Sequence, residues 1–494
     1  MMLAFRLRAQ ALAAARQASQ GGRTSDLELC MSMSTTAAYR NVDPIFAPLT
    51  FPSGVTIKNR VLRSSISGRF DNYNGSGTSA RVNWEEHFAR GGVGAVISSH
   101  VPVHVRGRVL PNYAMIDDDD KVPFWRVVGE RVHRHECAFF LQLSYSGRQR
   151  DIAGVENANN VALSATKRPD PVHGLPAQRM TEQEIGEVVA MFGHGARRAR
   201  EAGLDGVELH ACNGYLFTQF LSSAINDRTD DYGGSLKNRA RFLLEVMAAI
   251  RRQAGADFHL QVKLSAVDHG DAIFPWSKRG TTLQESIQVL KWAEEAGAHA
   301  VHISTGNSFP HPLNPAGDFT PGDLIGTYDT MLSSGRSTLR NYALWRFRPT
   351  RRLMRFLWTR TVPDDPEGVL LSDAEEIRRH LSVPVIVTGG FQTASVVREA
   401  IRSGRCDAVS IARPLIANPD LVEQWAAGKG RPARPCTYCN LCLFHALEDP
   451  LGCYDVRRYD GDHDRMIAEI MSIYRPEGRP ADFSPPESTE STQS

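Results

Sequence analysis

Eight short β-branched runs, each followed by a longer stretch of helical periodicity, constrain this chain more than anything else in it. The runs are Val61–Ser65, Val93–Val101, Ala138–Tyr145, Gly206–Cys212, His259–Ala266, Ala300–Gly306, Pro384–Gly390 and Ala408–Arg413. Most read as continuous apolar segments, the pattern of strands buried on both faces. Between them, Ile185, Val188, Val189, Phe192, Ala196 and Ala199 form one helical stripe. Leu236, Ala240, Leu243, Leu244, Met247 and Ile250 repeat it in the next helix. Thr181 followed by Glu184 predicts a capping box for the first of these helices. Strand–helix alternation repeated eight times predicts an α/β fold closed as a (β/α)8 TIM barrel. A doubly wound sheet is the alternative, weakened because no glycine fingerprint follows the first strand.

Length and charge set the frame around that barrel. The 494 residues carry 57 Lys and Arg against 55 Asp and Glu, so the chain as a whole has no electrostatic pull toward nucleic acid. No apolar run approaches the ~20 residues of a membrane span. The predicted organisation is an N-terminal extension (1–40), a barrel (41–430) with a long insertion after strand 6 (309–368), a cysteine-bearing segment (431–476) and a disordered tail (477–494). The extension has Arg6, Arg8, Arg16 and Arg23 but no acid up to residue 25, as an organelle-targeting segment would. The plainer reading is a start codon placed too far upstream, with Met31 or Met33 as the true first residue. The expected location is cytoplasmic, or mitochondrial if the extension is a genuine address in a eukaryote. The tail is rich in Pro, Ser, Thr and Glu.

In such a barrel, functional residues belong at the C-terminal ends of the strands. Polar residues cluster there: Ser64, Ser65 and Ser67 after the first strand, Gln142 in the third, His210 and Asn213 at the fourth, Lys263 in the fifth. Thr388-Gly389-Gly390 closes the seventh and Ala412-Arg413 the eighth. Glycines at one strand end beside an arginine at the next suit a phosphate, because bare backbone approaches its oxygens closely and Arg413 supplies a fork of donors.

At these residues the chain resembles the old yellow enzyme family of FMN-dependent NAD(P)H:flavin oxidoreductases, and most of all its branch with 2,4-dienoyl-CoA reductase and trimethylamine dehydrogenase. The run Ala202-Gly203-Leu204-Asp205-Gly206-Val207-Glu208-Leu209-His210-Ala211-Cys212-Asn213-Gly214-Tyr215-Leu216 carries most of the likeness. It continues through Gln219-Phe220-Leu221-Ser222, Asn226, Arg228-Thr229-Asp230, Tyr232-Gly233-Gly234-Ser235 and Asn238-Arg239. Lys58-Asn59-Arg60, Leu141-Gln142-Leu143 and Val387-Thr388-Gly389-Gly390 support it.

The resemblance implies an FMN site. Ser64, Ser65, Ile66 and Ser67 would line the flavin, and Gln142 would bond its pyrimidine edge. Lys263 would stabilise the anionic reduced ring. The backbone of Gly389, Gly390, Ala412 and Arg413 would hold the phosphate. A lone histidine and asparagine after an apolar strand are commonly structural, but beside a flavin they take on another meaning. His210 and Asn213 would polarise a substrate carbonyl and stabilise the enolate, and Tyr215 would protonate the α-carbon. The implied reaction is reduction of FMN by NAD(P)H, then of an α,β-unsaturated carbonyl compound or enoyl or dienoyl thioester. Three competitors stay open: amine-dehydrogenase-like oxidation, a phosphate-binding lyase with Lys263 as Schiff base, and a catalytically silent or membrane-recruited FMN-binding protein.

The chain departs from the family at four places. Ser64-Ser65-Ile66 stands where Ala-Pro-Met is common, Tyr145 replaces the usual histidine after Gln-Leu-x, and Ala412-Arg413-Pro414 replaces Gly-Arg-Pro. Cys436, Cys439, Cys442 and Cys453 form C-x2-C-x2-C-x10-C, a spacing suited to a [4Fe–4S] cluster, to Zn2+, or to neither. The iron–sulfur branch usually has a longer last gap. A cluster would call for an electron-transfer partner; the substrate is otherwise a small molecule.

Between Thr330 and Pro363 lie eight arginines and no acid, interleaved with Tyr342, Trp345, Phe347, Phe356 and Trp358. This segment is expected to be a lid for an anionic substrate, a membrane-surface patch across 336–360, or a helical insertion with solvated arginines.

Overall fold

The computed structural model describes residues 43–150, 161–173, 175–270, 278–326 and 336–474. The N-terminal extension and the C-terminal tail read from the sequence lie outside the described residues.

All eight runs form parallel strands of one closed ring: β1 (Val61–Arg63), β2 (Ala95–Ile97), β3 (Ala138–Ser144), β4 (Gly206–Ala211), β5 (His259–Ser265), β6 (Ala300–Ser304), β7 (Val385–Thr388) and β8 (Ala408–Ile411). β8 pairs with β1 through Val409↔Val61, and β2 pairs with β3 through Ala95↔Ala138, so no edge is left in the ring. The chain is a (β/α)8 barrel. The second run is shorter than expected, because Ser98, Ser99 and His100 leave the ladder and Val101–Pro102 rejoins β3 beyond them.

Helices α1 (Ser79–Arg90), α2 (Val122–His133), α3 (Glu182–Glu201), α4 (Leu236–Ala254) and α5 (Leu283–Glu295) follow the first five strands. The capping box at Thr181 and Glu184 is present at the start of α3, and a second one joins Thr282 to Glu285 at α5. Gly193 lets α3 and α4 approach closely: a Cβ there would stand 3.2 Å from the carbonyl oxygen of Ala249. After β6 the insertion carries a short helix, Pro321–Gly326, and then α6 (Arg336–Arg346) and α7 (Arg348–Thr359). α8 (Leu371–Arg378) and α9 (Ala394–Arg402) resume the alternation.

The strands are buried on both faces, but the two faces differ. Phe139, Leu141, Leu143, Val207, Leu209, Leu260, Val262, Leu264, Val301 and Ile303 meet the helices in the main core. The alternate residues point into the barrel. Its lower interior is apolar: Leu62, Ala95, Ile97, Ala138, Phe140, Ala300, Ile386 and Ala408 pack together. An antiparallel ribbon of Leu49–Thr50 and Thr56–Ile57 belongs to the same cluster and plugs that end. Toward the C-terminal ends the inward residues become polar, which leaves the upper mouth as the place for chemistry.

Candidate active site

The floor of the mouth is a buried polar layer. Glu208 of β4 accepts from Nε2 of Gln142 at 2.7 Å, from Nε2 of Gln261 at 2.5 Å and from Nδ1 of His302 at 2.8 Å. The hydroxyl of Ser410 completes His302 by donating to its Nε2 at 2.6 Å. Burial opposes ionisation of Glu208, yet His302, Lys263 and the amide donors outweigh it and hold the carboxyl below its ordinary range. Burial, reinforced by Lys263, lowers the pKa of His302, so it serves Glu208 as a neutral donor. The sequence carries this layer as a period of two, Glu208-x-His210, His259-x-Gln261-x-Lys263-x-Ser265 and His302-x-Ser304. Reading these runs as continuously apolar passes over it.

Above the floor opens a cavity of about 850 Å3, within the range of cofactor and ligand pockets. Ser64, Ser65, Ile66, Ser67, His210, Asn213, Tyr215, Lys263, Ala412 and Arg413 all line it. Lys263 Nζ donates to Ser64 Oγ at 3.1 Å. Gly389 and Gly390 line a small adjoining pocket of about 50 Å3, which they share with Ala412 and Arg413. Gly390 has φ +71°, and a Cβ there would approach the carbonyl oxygen of Pro366 to 2.7 Å. Gln142 does not line the cavity. It lies beneath Ser65, whose hydroxyl donates to its Oε1 at 2.8 Å. The Arg413 guanidinium donates to Asn440 Oδ1 at 2.5 Å and to the Ala316 carbonyl at 2.6 Å.

His210 and Tyr215 stand with ring centroids 4.6 Å apart, and a third ring, His100, lies 5.3 Å from Tyr215. His100 comes from the residues that leave the ladder after β2, and nothing in its local sequence marks it as part of the site. Ser144 joins the two histidines, its Oγ 2.9 Å from His100 Nδ1 and 3.0 Å from His210 Nδ1. The direction of this chain follows from its far end. His100 Nε2 lies 3.2 Å from the carbonyl oxygen of Gly107, which can only accept, so Nε2 carries the hydrogen. Burial pushes His100 down to about 4, so its Nδ1 is bare near neutrality and accepts from Ser144. The Ser144 oxygen then accepts from His210 Nδ1–H. Burial, with His100 and Lys263 nearby, keeps His210 neutral as well, so its Nε2 is an acceptor at rest. Asn213, held at φ +61°, directs its amide to Thr305 O at 3.3 Å and Ser304 Oγ at 3.5 Å, two long bonds that a better acceptor could displace.

The roof comes from the insertion and the C-terminal segment. Phe319, Leu324, Trp358 and Phe444 form one apolar cluster above the cavity, with Phe319 and Trp358 stacked at 4.8 Å. The cysteine segment is tied to the barrel: Cys436 N–H donates to Gln392 Oε1 at 2.8 Å, and the Tyr438 hydroxyl to the Gly390 carbonyl at 2.5 Å. Burial raises Cys436 to about 11, and neighbouring thiols of the four-cysteine set add to the rise at Cys436, Cys442 and Cys453. The four thiols therefore lie within electrostatic reach of one another. Among the described residues, however, no group of three or more Cys, His, Asp or Glu stands close enough to hold a metal ion. Tyr145, at the family's usual histidine, is a buried aromatic that does not line the cavity.

A polar floor, a buried lysine and a glycine-lined pocket at the seventh strand end make the mouth of this closed barrel its candidate site for a cofactor. The sequence profile of the NADH:flavin oxidoreductase / NADH oxidase family matches residues 44–311 and 354–432, and the chain belongs to that family. The unmatched stretch between them falls on the insertion. A NADH oxidase of Thermoanaerobacter brockii is 30% identical over 390 residues, covering 78% of this chain and 51% of that protein. A cinnamate reductase of Clostridium sporogenes is 30% identical over 391 residues, covering 78% of this chain and 53% of its own. The chain thus spans about half the length of these relatives. The solved structure of a 2-naphthoyl-CoA reductase has the same fold, with TM-score 0.65 and 23% identity over 85% of this chain and 58% of that one.

Proposed function

We propose that this protein is an FMN-dependent oxidoreductase that takes electrons from NAD(P)H and reduces an activated alkene, an α,β-unsaturated carbonyl compound or an enoyl or dienoyl thioester. The observation that carries the reading is the meeting of His210, Asn213 and Tyr215 with Lys263 and Ser64–Ser67 around one cavity. Family membership supports the flavin and the nicotinamide donor. The residues fit FMN: a lysine and hydroxyls at the cavity floor would hold the ring, and Gly389, Gly390, Ala412 and Arg413 would offer backbone to the phosphate. Bound FMN would store the electron pair and deliver it as hydride.

The chain's own residues do the rest. Asn213 turns its amide from Thr305 and Ser304 to the substrate oxygen. His210 joins it as a donor in its other tautomer: its Nδ1 proton passes to Ser144 as the Ser144 hydroxyl proton passes to His100 Nδ1, His100 releases its Nε2 proton to solvent and His210 Nε2 takes one up, which forfeits the bond between His100 and Gly107. That bond is the longest of the three, and the loss is about 1 kcal/mol. Tyr215 gives its proton to the α-carbon. The roof of Phe319, Trp358 and Phe444 gives the apolar part of the substrate a wall above these groups.

The experiment is an absorption spectrum of the purified protein, followed by anaerobic addition of NADH or NADPH and then of cinnamaldehyde. A flavin spectrum that bleaches with the nicotinamide and returns with the alkene is expected. A flavin that bleaches but does not return with any conjugated carbonyl overturns the alkene reading. A second reading rests on the resting state of His210, whose Nε2 lone pair suits a substrate that donates a hydrogen, such as an amine. Bleaching by an amine without nicotinamide would favour it.

A further inference from the structure

We propose that the α6–α7 hairpin docks the enzyme on a membrane surface rich in anionic lipid, and that the cavity opens onto that surface. Among the described residues the large exposed apolar side chains are Tyr73, Leu339, Leu344, Phe347, Leu353, Phe356, Ile467 and Met471. Five of these belong to α6, α7 and the residue joining them. Phe347, at the joint, is 62% exposed and is flanked by Arg346 and Arg348. Soluble surfaces carry such residues singly, and a contiguous group of them marks an interaction face.

The charge around the group names the partner. Arg346, Arg348, Arg352, Arg355 and Arg360 are exposed, and no acid occurs between residues 330 and 363. Only Arg355 has a carboxylate partner among the described residues, Asp318 at 3.2 Å. A second copy presenting the same face would bring arginine against arginine, so symmetric pairing through this face is opposed. A lipid leaflet supplies what both kinds of side chain lack: phosphate oxygens for the guanidinium forks and an acyl boundary for Phe347, Phe356 and Leu339. No helix among the described residues is long and apolar enough to cross a membrane, so the contact is interfacial.

The same hairpin has an inner side. Trp358 is buried, and its indole N–H donates to the Gly317 carbonyl at 3.0 Å. Leu344 and Leu353 are exposed and also line the cavity, so the hairpin that carries the outer apolar side chains also borders the site. Docked in this way, the enzyme takes an apolar substrate directly from the bilayer.

The test is sedimentation of the full chain with vesicles of phosphatidylcholine alone and with half phosphatidylglycerol, at low and high salt. Binding to the anionic vesicles only, weakened at high salt, is expected. F347S and the double variant R348E/R352E, neither touching the cavity lining, should each lower it at least tenfold while oxidation of NADH with a water-soluble enone stays unchanged. Equal binding to both vesicle types, no binding to either, or wild-type binding by both variants overturns the proposal. Concentration-dependent self-association abolished by F347S would overturn it in favour of a second copy. These outcomes do not depend on the alkene reading, which is scored by the flavin spectrum.

Discussion

The floor and the roof of the cavity are built on opposite principles. In the floor every polar group has a partner fixed by strand register: Glu208 accepts three hydrogen bonds from β3, β5 and β6, neighbours in one closed ring. The roof is made of chain outside the barrel alternation, held by the aromatic contacts of Phe319, Trp358 and Phe444, with Phe347, Leu353 and Phe356 left exposed. A register-locked polar network tolerates little change, because each group left unpaired bears its full desolvation penalty. An apolar roof can be remodelled without disturbing the chemistry beneath it. The contrast suggests that reaction type resides in the barrel, and access and substrate size in the added segments.

That contrast can be broken experimentally. The largest effect belongs to the mouth: Tyr215→Phe should slow alkene reduction by about a hundred- to ten-thousand-fold while reduction of the flavin by NADH keeps its rate, as stopped-flow traces would resolve. Equal loss in both half-reactions would mean that Tyr215 shapes the site rather than supplying a proton. Next comes the floor. Glu208→Ala strands Gln142, Gln261 and His302 and should cost about 3–5 kcal/mol in urea unfolding.

Acid should act on the same network in two windows. Glu208 has a native pKa below its unfolded one, so its stabilisation is present above the ordinary carboxylate range and is lost as pH falls through the lowered native value. His100 works higher up. Between 6.5 and about 4 the unfolded chain takes up a proton that the native chain refuses, so stability declines on acidification there.

The roof should respond differently. Trp358→Ala removes the ring stacked on Phe319 and should raise KM for a bulky acceptor about tenfold with little change in kcat; a fall in kcat alone would tie the roof to the chemistry. The smallest effect tests the histidine chain. His100→Phe frees Ser144 to donate to His210, so Nε2 bears hydrogen at rest. A non-reacting carbonyl ligand should then bind a few-fold more tightly, read from the flavin absorbance. The variant should also flatten the loss of stability between pH 6.5 and 4.

Much of the barrel was legible in the sequence because its signals are short-range. The eight runs appear in order as the eight strands, and the stripe on Ile185, Val188, Phe192 and Ala196 is buried as its spacing requires. The residues expected at the cofactor site also meet at one mouth, Gln142 apart, since each sits at the upper end of its strand and closure brings those ends together. His100 and Ser144 could not be read this way. Their importance comes from a hydrogen-bond chain whose links span 44 positions, His100 to Ser144, and 66 positions, Ser144 to His210, anchored at a turn carbonyl that no motif announces. The arginine-rich insertion was visible, but not its division into an inner face of Trp358 and an outer face of Phe347 and Phe356.

The sequence by itself determined the strand count, the helical stripes, the capping box and the family, because periodicity and motif spacing are properties of the chain. Only the tertiary structure decided which polar residues face inward together and which proton each histidine carries. It alone decided that two segments outside the barrel would close over the same cavity. Those outcomes depend on distances between remote residues, and a hydrogen bond or a desolvated charge exists only once folding has set them.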